Sequence, residues 1–300
     1  MDRNIAHMDL DSFFVSVEVL RNSGFRNKPV IIGGSSQRGV VASCSYEARK
    51  FGVRSAMPMR MALSLCPDAI VIKGDMELYS RYSSLVTEII REKAPVFEKA
   101  SIDEFYLDLT GMDRFFGAYK WMSELRSFII KESGLPISFA MSVNKTVSKI
   151  GTGEVKPNGE IYIPQGNEKS YIAPLSVARI PMIGDKTYKL LAGMGVRYIR
   201  TLAELPPQLM ERQFGKSGLQ IWEKANAIDR SPVQPYSEQK SISTERTFQT
   251  DTTDLAFLDA VLLRMTEKLG FELRSQNKLC ACITLKIRYS DFNTETKQLS

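Results

Sequence analysis

The stretch that most constrains this chain is Ala100–Asp108, ASIDEFYLD. It sets two adjacent carboxylates, Asp103 and Glu104, between two short runs, Pro95–Ile102 and Phe105–Leu109. Neighbouring side chains of a regular strand point to opposite faces, so both acids share one target only where the chain turns or bulges. The spacing predicts a tight β-hairpin with the acids at its tip, Ser101 helping to start the turn and Phe105–Leu109 returning. Two carboxylates crowded at a tip repel each other unless a cation neutralises them, and a hard divalent ion with oxygen ligands is the natural partner. A solvated acidic turn gives the same letters.

A third acid shifts the balance. Asn4–Asp11 reads as a short, largely apolar strand that ends in acids before the aromatic pair Phe13-Phe14. Asp9 at the end of that strand, beside the hairpin tip, would gather three carboxylates. Three is the minimum for holding two magnesium ions ~4 Å apart for phosphoryl transfer.

The chain between and beyond the acids is densely patterned. Ser12–Leu20 has helical spacing at Phe13, Val17 and Leu20. KPVIIG at 28–33 and GVVASC at 39–44 read as strands, with 35–39 as a turn. Ser45 is a candidate N-cap for a helix through Tyr46 and Arg49, which share a face near its N-terminus. Such a helix end, with a phenol and a guanidinium, is equally a triphosphate cradle or a solvated surface. Helices are predicted over 58–65, 75–95 and 119–133, strands over 69–73 and 137–143, and a helix from Asn144 to Lys156 with Lys145 and Lys149 one turn apart. His7 is expected to be a packed strand residue, and Asp108 a structural one.

Four motifs in order, MDLDSFFVSVE, SYEARKFGVRSAMP, SIDEFYLDLT and KPNG, resemble the motif series of the Y-family DNA polymerases, nearest the bacterial DNA polymerase IV group of translesion enzymes. The similarity runs from Met1 to about Ser290. It implies an α+β multidomain chain, a right-hand polymerase with a ferredoxin-like palm (1–10 and 74–163), small fingers (11–73), a helical thumb with a helix-hairpin-helix (164–231), a linker (232–239) and a C-terminally truncated little finger (240–300). Removing 11–73 leaves a βαββαβ order around the acids, which suits such a palm. The resemblance implies that Asp9, Asp103 and Glu104 bind two Mg²⁺, with the backbone carbonyl of Leu10 as a further ligand. It assigns Tyr46, Arg49 and Lys156 to the incoming triphosphate, with Ser43 nearby. It makes Phe14 the ring that stacks under the incoming sugar and clashes with a 2′-hydroxyl. Small residues at Gly52, Ser55 and Ala56 suggest a roomy lid over the nascent base pair.

Further along, Ile180–Lys186 looks like a helix-hairpin-helix turn whose backbone, at Gly184 and Lys186, would meet a DNA phosphate without reading bases. The family usually has glycine where this chain has Met182. Thumb helices are expected over 190–205 and 207–228, then a strand at 240–248, a helix at 255–273 and a strand at 279–289. In that last strand Leu279, Ala281, Ile283, Leu285, Ile287 and Tyr289 would face a core, leaving Lys286 and Arg288 along DNA phosphates. A fuller four-strand little finger and a C-terminal sliding-clamp peptide, both normal in the family, are not found before Ser300.

Composition excludes little but is consistent. A net charge of +6 and a pI near 9.0 permit a polyanionic partner. Four cysteines without a C-x-x-C pair, and a single histidine, argue against a zinc site or a disulfide framework and suit a reducing cytoplasm. No apolar run is long enough to span a bilayer. The resemblance implies primer–template DNA and dNTPs as partners and a monomer, and the length leaves little room for a separate 3′–5′ exonuclease. Two rivals remain: a catalytically silent DNA-binding scaffold of the same family, and a palm-fold nucleotidyl cyclase, which needs no duplex-binding hairpin.

Overall fold

The computed structural model describes residues 3–34, 38–112, 117–235 and 239–300. It forms two compact units, Met1–Ser35 with Val40–Tyr236, and Ser36–Gly39 with Ser237–Ser300.

The first unit opens with β1 (Ile5–Leu10), buried at every position. After a tight turn at Ser12 come α1 (Phe13–Arg21), β2 (Val30–Gly33), β3 (Val41–Cys44), α2 (Tyr46–Lys50), α3 (Met59–Leu65) and β4 (Ile70–Ile72). Strands β2 to β4 make their own three-stranded sheet, ordered β3-β2-β4. This small lobe has a separate core of Ile31, Val41, Cys44, Ala48, Val53 and Met59. The predicted turn between β2 and β3 lies partly outside the described residues.

The chain then returns through α4 (Met76–Lys93), β5 (Val96–Lys99), β6 (Glu104–Asp108), α5 (Ala118–Ser133), β7 (Ile137–Ser142), α6 (Lys145–Val155) and β8 (Glu160–Tyr162). Asp75 caps α4 by accepting from Leu78 N at 3.1 Å, which fixes where that helix begins. The main sheet is ordered β5-β6-β1-β7-β8. Without β8 this is the antiparallel ferredoxin-like order, with β1 central between β6 and β7.

Period-two alternation gives β1 two different faces. Ala6, Met8 and Leu10 join Phe105, Leu107, Phe139 and Met141 in the main core, against Val86, Ile90, Met122 and Ile129 of α4 and α5. Each fully buried side chain of that size contributes about 1.5–3 kcal/mol, so this face holds the unit together. His7 and Asp9 lie on the other face, in register with Tyr106 and Glu104 of β6 and with Ala140 and Ser138 of β7. Helix α6 crosses that second face: Thr152 Oγ1 bonds His7 at 2.9 Å and Ser148 Oγ bonds Ile5 O at 2.7 Å.

A helical subunit follows, with α7 (Glu168–Ile172), a 3₁₀ turn at Val177–Arg179, α8 (Asp185–Gly193), α9 (Ile199–Ala203), α10 (Pro207–Phe214) and α11 (Lys216–Ala225). Its apolar cluster includes Ile172, Ile180, Leu191, Ile199, Leu202, Met210 and Ile221. Both long helices expected here are broken. The first stops at Gly193 and Gly195 takes φ 80° before α9 starts. The second is divided by Gly215 at φ 62°. The two halves then pack so closely that a Cβ on Gly218 would lie 2.0 Å from Met210 O.

The second unit contains α12 (Leu255–Ser275) and the hairpin of β9 (Ile283–Arg288) and β10 (Thr294–Leu299). The strand expected at 240–248 is irregular chain. The strand expected at 279–289 is shorter, because β10 pairs only with Ile283–Arg288. Its two faces are also not core and surface: every position of β9 is exposed among the described residues.

Candidate active site

The hairpin tip forms as its spacing predicts. Ser101 Oγ accepts from Glu104 N at 3.0 Å and donates to Asp103 Oδ1 at 2.6 Å, so one hydroxyl both shapes the turn and orients the first acid. Leu10 N donates to Asp103 O at 3.0 Å, and Asp9 stands opposite Glu104 in the β1–β6 register. Strand pairing therefore brings the three carboxylate-bearing residues to one end of the sheet.

Two ammonium groups meet these acids from α6 and the turn after it. Lys149 Nζ lies 2.6 Å from Glu104 Oε2, and Lys156 Nζ contacts Asp9 Oδ1. One helical turn before, Lys145 Nζ reaches Glu98 at 2.7 Å and sits 4.6 Å over the Tyr106 ring. The lysines form a stripe facing the carboxylate side of the sheet. Burial pushes the Asp9 carboxyl up, to about 7; Lys156 opposes that rise, while Asp103 and Glu104 add to it. His7 is held well below its ordinary value by burial and by Lys149, Lys156 and Lys145, so it is a neutral packed residue. Its Nδ1 meets Thr152 Oγ1 at 3.0 Å.

Among the described residues no three His, Cys, Asp or Glu side chains form a ready metal cage. The donor set nevertheless fits a hard divalent cation: three carboxylates, one of them buried and raised in part by the charge of the other two. The lysines on Asp9 and Glu104 supply positive charge at that position.

A cleft beside the acids collects Asp9, Leu10, Phe14, Ser43, Arg49, Asp103 and Lys156. The Phe14 ring is stacked on Tyr79 at 4.3 Å and 13°, and Tyr79 Oη donates to buried Glu18 at 2.7 Å. Ser45 caps α2 as predicted, accepting from Ala48 N at 3.2 Å. The Arg49 guanidinium lies 4.7 Å over the Tyr46 ring. The Tyr46 hydroxyl donates to Asp11 Oδ1 at 3.0 Å, and burial with that neighbouring charge raises its pKa.

The predicted duplex-binding residues sit elsewhere. Gly184 caps α8 and Lys186 is in its first turn, outside the lining of the cleft. Lys286 and Arg288 lie on exposed β9 of the second unit. Two residues close to the acids were given no role from the sequence, Lys149 and Asp11. Lys149 had a signal, since Lys145, Lys149 and Lys156 recur at helical spacing. Asp11 follows β1, where strand periodicity no longer applies.

A ferredoxin-like sheet with acids at a hairpin tip, a small lobe inserted after its first strand and a helical subunit after its last defines a right-hand polymerase fold. Residues 8–153 match the impB/mucB/samB family and 239–300 match that family's C-terminal domain. The chain is 42% identical to DNA polymerase IV of Dehalococcoides mccartyi over 99% of its own length and 76% of that protein's. It is 37% identical to DNA polymerase IV 2 of Methanosarcina mazei, covering 98% and 81%. Among solved structures, a Y-family DNA polymerase chimera of Dbh and Dpo4 superposes with a TM-score of 0.84 at 26% identity, covering 99% of this chain and 87% of that one. The chain belongs to the Y-family DNA polymerases, of the DNA polymerase IV type.

Proposed function

We propose that this chain adds dNTPs to a primer 3′-hydroxyl on a DNA template, with the low fidelity and damage tolerance of a translesion enzyme, and that Asp9, Asp103 and Glu104 are the acids of that reaction. The observation that carries this reading is the meeting of all three at one end of the sheet, beside the cleft lined by Phe14, Arg49 and Lys156. Mg²⁺ held by these carboxylates and the Leu10 carbonyl would lower the pKa of the 3′-hydroxyl and neutralise the triphosphate. Arg49 and Lys156 line the cleft with Ser43 and would supply cations to the triphosphate, while Tyr46 backs the Arg49 guanidinium from outside that lining. Phe14, backed by the stacked Tyr79 ring, is stiff enough to refuse a 2′-hydroxyl on steric grounds.

Gly184 and Lys186 in the helical subunit, and Lys286 and Arg288 on β9, are proposed contacts to DNA phosphates. A sliding clamp is a proposed partner, and a monomer in the cytoplasm the proposed state. No helix of the described residues is long and apolar enough to cross a membrane.

The test is primer extension with Mg²⁺ on an undamaged template. Glu104→Gln should lower dNTP addition by about a hundredfold or more while DNA binding persists. Phe14→Ala should admit rNTPs that the unaltered chain refuses. DNA binding without any addition by the unaltered chain would favour the silent scaffold.

A further inference from the structure

We propose that Asp11 is the positioning residue that sets the triphosphate cradle against the carboxylates of β1. The inference rests on the roles proposed above for Arg49, Tyr46 and Lys156. Asp11 is 1% exposed and its own backbone is pinned: its N–H donates to Pro136 O at 2.9 Å, and its carbonyl accepts from Ser16 Oγ at 2.6 Å. Its carboxylate receives three donors from three separate segments. Tyr46 Oη of α2 reaches Oδ1 at 3.0 Å. Ser138 Oγ of β7 and Asn158 N of the turn after α6 both reach Oδ2 at 2.7 Å.

Each of these donors leads to a group at the cleft. Tyr46 carries the Arg49 guanidinium on its ring. Its single phenolic proton goes to Asp11, so the group that α2 turns toward a phosphate is Arg49, with the phenol as its platform. Asn158 belongs to the Lys156-Pro157-Asn158-Gly159 turn. Ser138 holds the same turn again by accepting from Gly159 N at 3.2 Å, and Arg126 Nη2 grips Asn158 O at 2.8 Å. One side chain, two residues beyond Asp9, thus fastens both cationic arms of the cradle to the strand that bears the acid.

The chemistry of the group matters. Among the described residues no lysine or arginine forms an ion pair with Asp11. A buried carboxylate without a counter-ion is costly, so charge pairing does not explain it. Two oxygens that accept from three donors do, because no neutral side chain of this size has that acceptor capacity.

The test is single-nucleotide incorporation by the full chain on primer–template, with melting and DNA-binding measurements beside it. Asp11→Ala should raise KM for dNTP about tenfold, with a smaller fall in kcat and unchanged DNA affinity. Asp11→Asn, which keeps an acceptor for Ser138 and Asn158, should raise it about threefold and so recover part of the loss. Adding Tyr46→Phe to either should cost less than about twofold beyond the larger single effect, because both changes release the same platform. Should Asp11→Ala not fold, Asp11→Asn carries the same comparison. A merely structural Asp11 would lower the melting temperature and the active fraction and leave KM alone, which overturns the proposal. Effects of Asp11 and Tyr46 that multiply also overturn it, while a raised KM in Tyr46→Phe and Lys156→Ala would keep the cradle reading. If those two variants alone leave KM unchanged, the cradle reading fails and this inference with it.

Discussion

Met182 occupies a backbone position that suits glycine. Its φ is +85°, in the left-handed region where a side chain with a Cβ is strained, and the residue is half exposed. The turn before α8 therefore keeps its shape without the glycine expected there, at a cost in stability. Met182→Gly should stabilise the helical subunit by about 1 kcal/mol, read as a shift of the urea midpoint with an unchanged slope; a loss of stability would mean that the Met182 side chain makes compensating contacts. At this scale the sequence was most legible where chemistry repeats a local pattern. Asp103 and Glu104 were readable because Ser101 starts the turn from two and three residues away. Ser45 was readable as a cap for the same reason. Asp11 was not, because its three donors come from residues 46, 138 and 158 and leave no trace in the spacing around it.

Among the elements, β1, β6 and β7 with α4 and α5 were readable since each buries an apolar face, as β1 and α4 do, whereas the short edge strand β8, half-buried to exposed, left no such pattern. The broken thumb helices were not, because Gly195 and Gly215 interrupt patterns that remain apolar on both sides. One element contact has a pH dependence with a definite sign. The chain leaving α11 folds back on the start of α6: Asn144 Nδ2 donates to Ala227 O at 2.9 Å, and Thr146 Oγ1 donates to Asp229 Oδ2 at 2.7 Å. Burial alone would raise the Asp229 carboxyl, but hydrogen bonds from Ser231 and Thr146, with Lys224 nearby, bring it below its ordinary value. A depressed folded-state pKa means that this contribution is present above the unfolded value of about 3.9 and disappears as pH falls through the folded one. Asp229→Asn should thus cost about 1–2 kcal/mol at neutral pH. The difference from the unaltered chain should shrink below about pH 4. A difference that stays constant into acid would assign the loss to packing and not to the charge.

The two units of the molecule differ sharply in what holds them. In the first, separate apolar clusters fill the main sheet's helix side, the helical subunit and the small lobe. In the second, Val261 is the buried residue of α12, while Leu255, Leu263 and Phe271 of that helix and Ile283 and Ile287 of β9 are exposed among the described residues. A two-stranded hairpin and one helix bury too little apolar surface to offset the entropy of ordering them strongly. The core-facing row expected on β9 from its alternation is exposed instead. Alternation identifies a face that can be buried, but whether another layer covers it depends on residues distant in the chain. The energetic difference predicts that the molecule does not unfold in one step. Hydrogen exchange should give protection in β9, β10 and α12 that corresponds to a free energy several kcal/mol below that of β1 and β7, with a separate early transition in denaturant. Uniform protection and a single coincident transition would require apolar contacts that bind the second unit as tightly as the first. Because Lys286 and Arg288 lie on that weaker hairpin, duplex DNA should raise its protection selectively, by an amount that grows with DNA concentration and falls with salt. Equal gains in both units, or a gain in β1 and β7 alone, would remove β9 from the proposed DNA-binding surface.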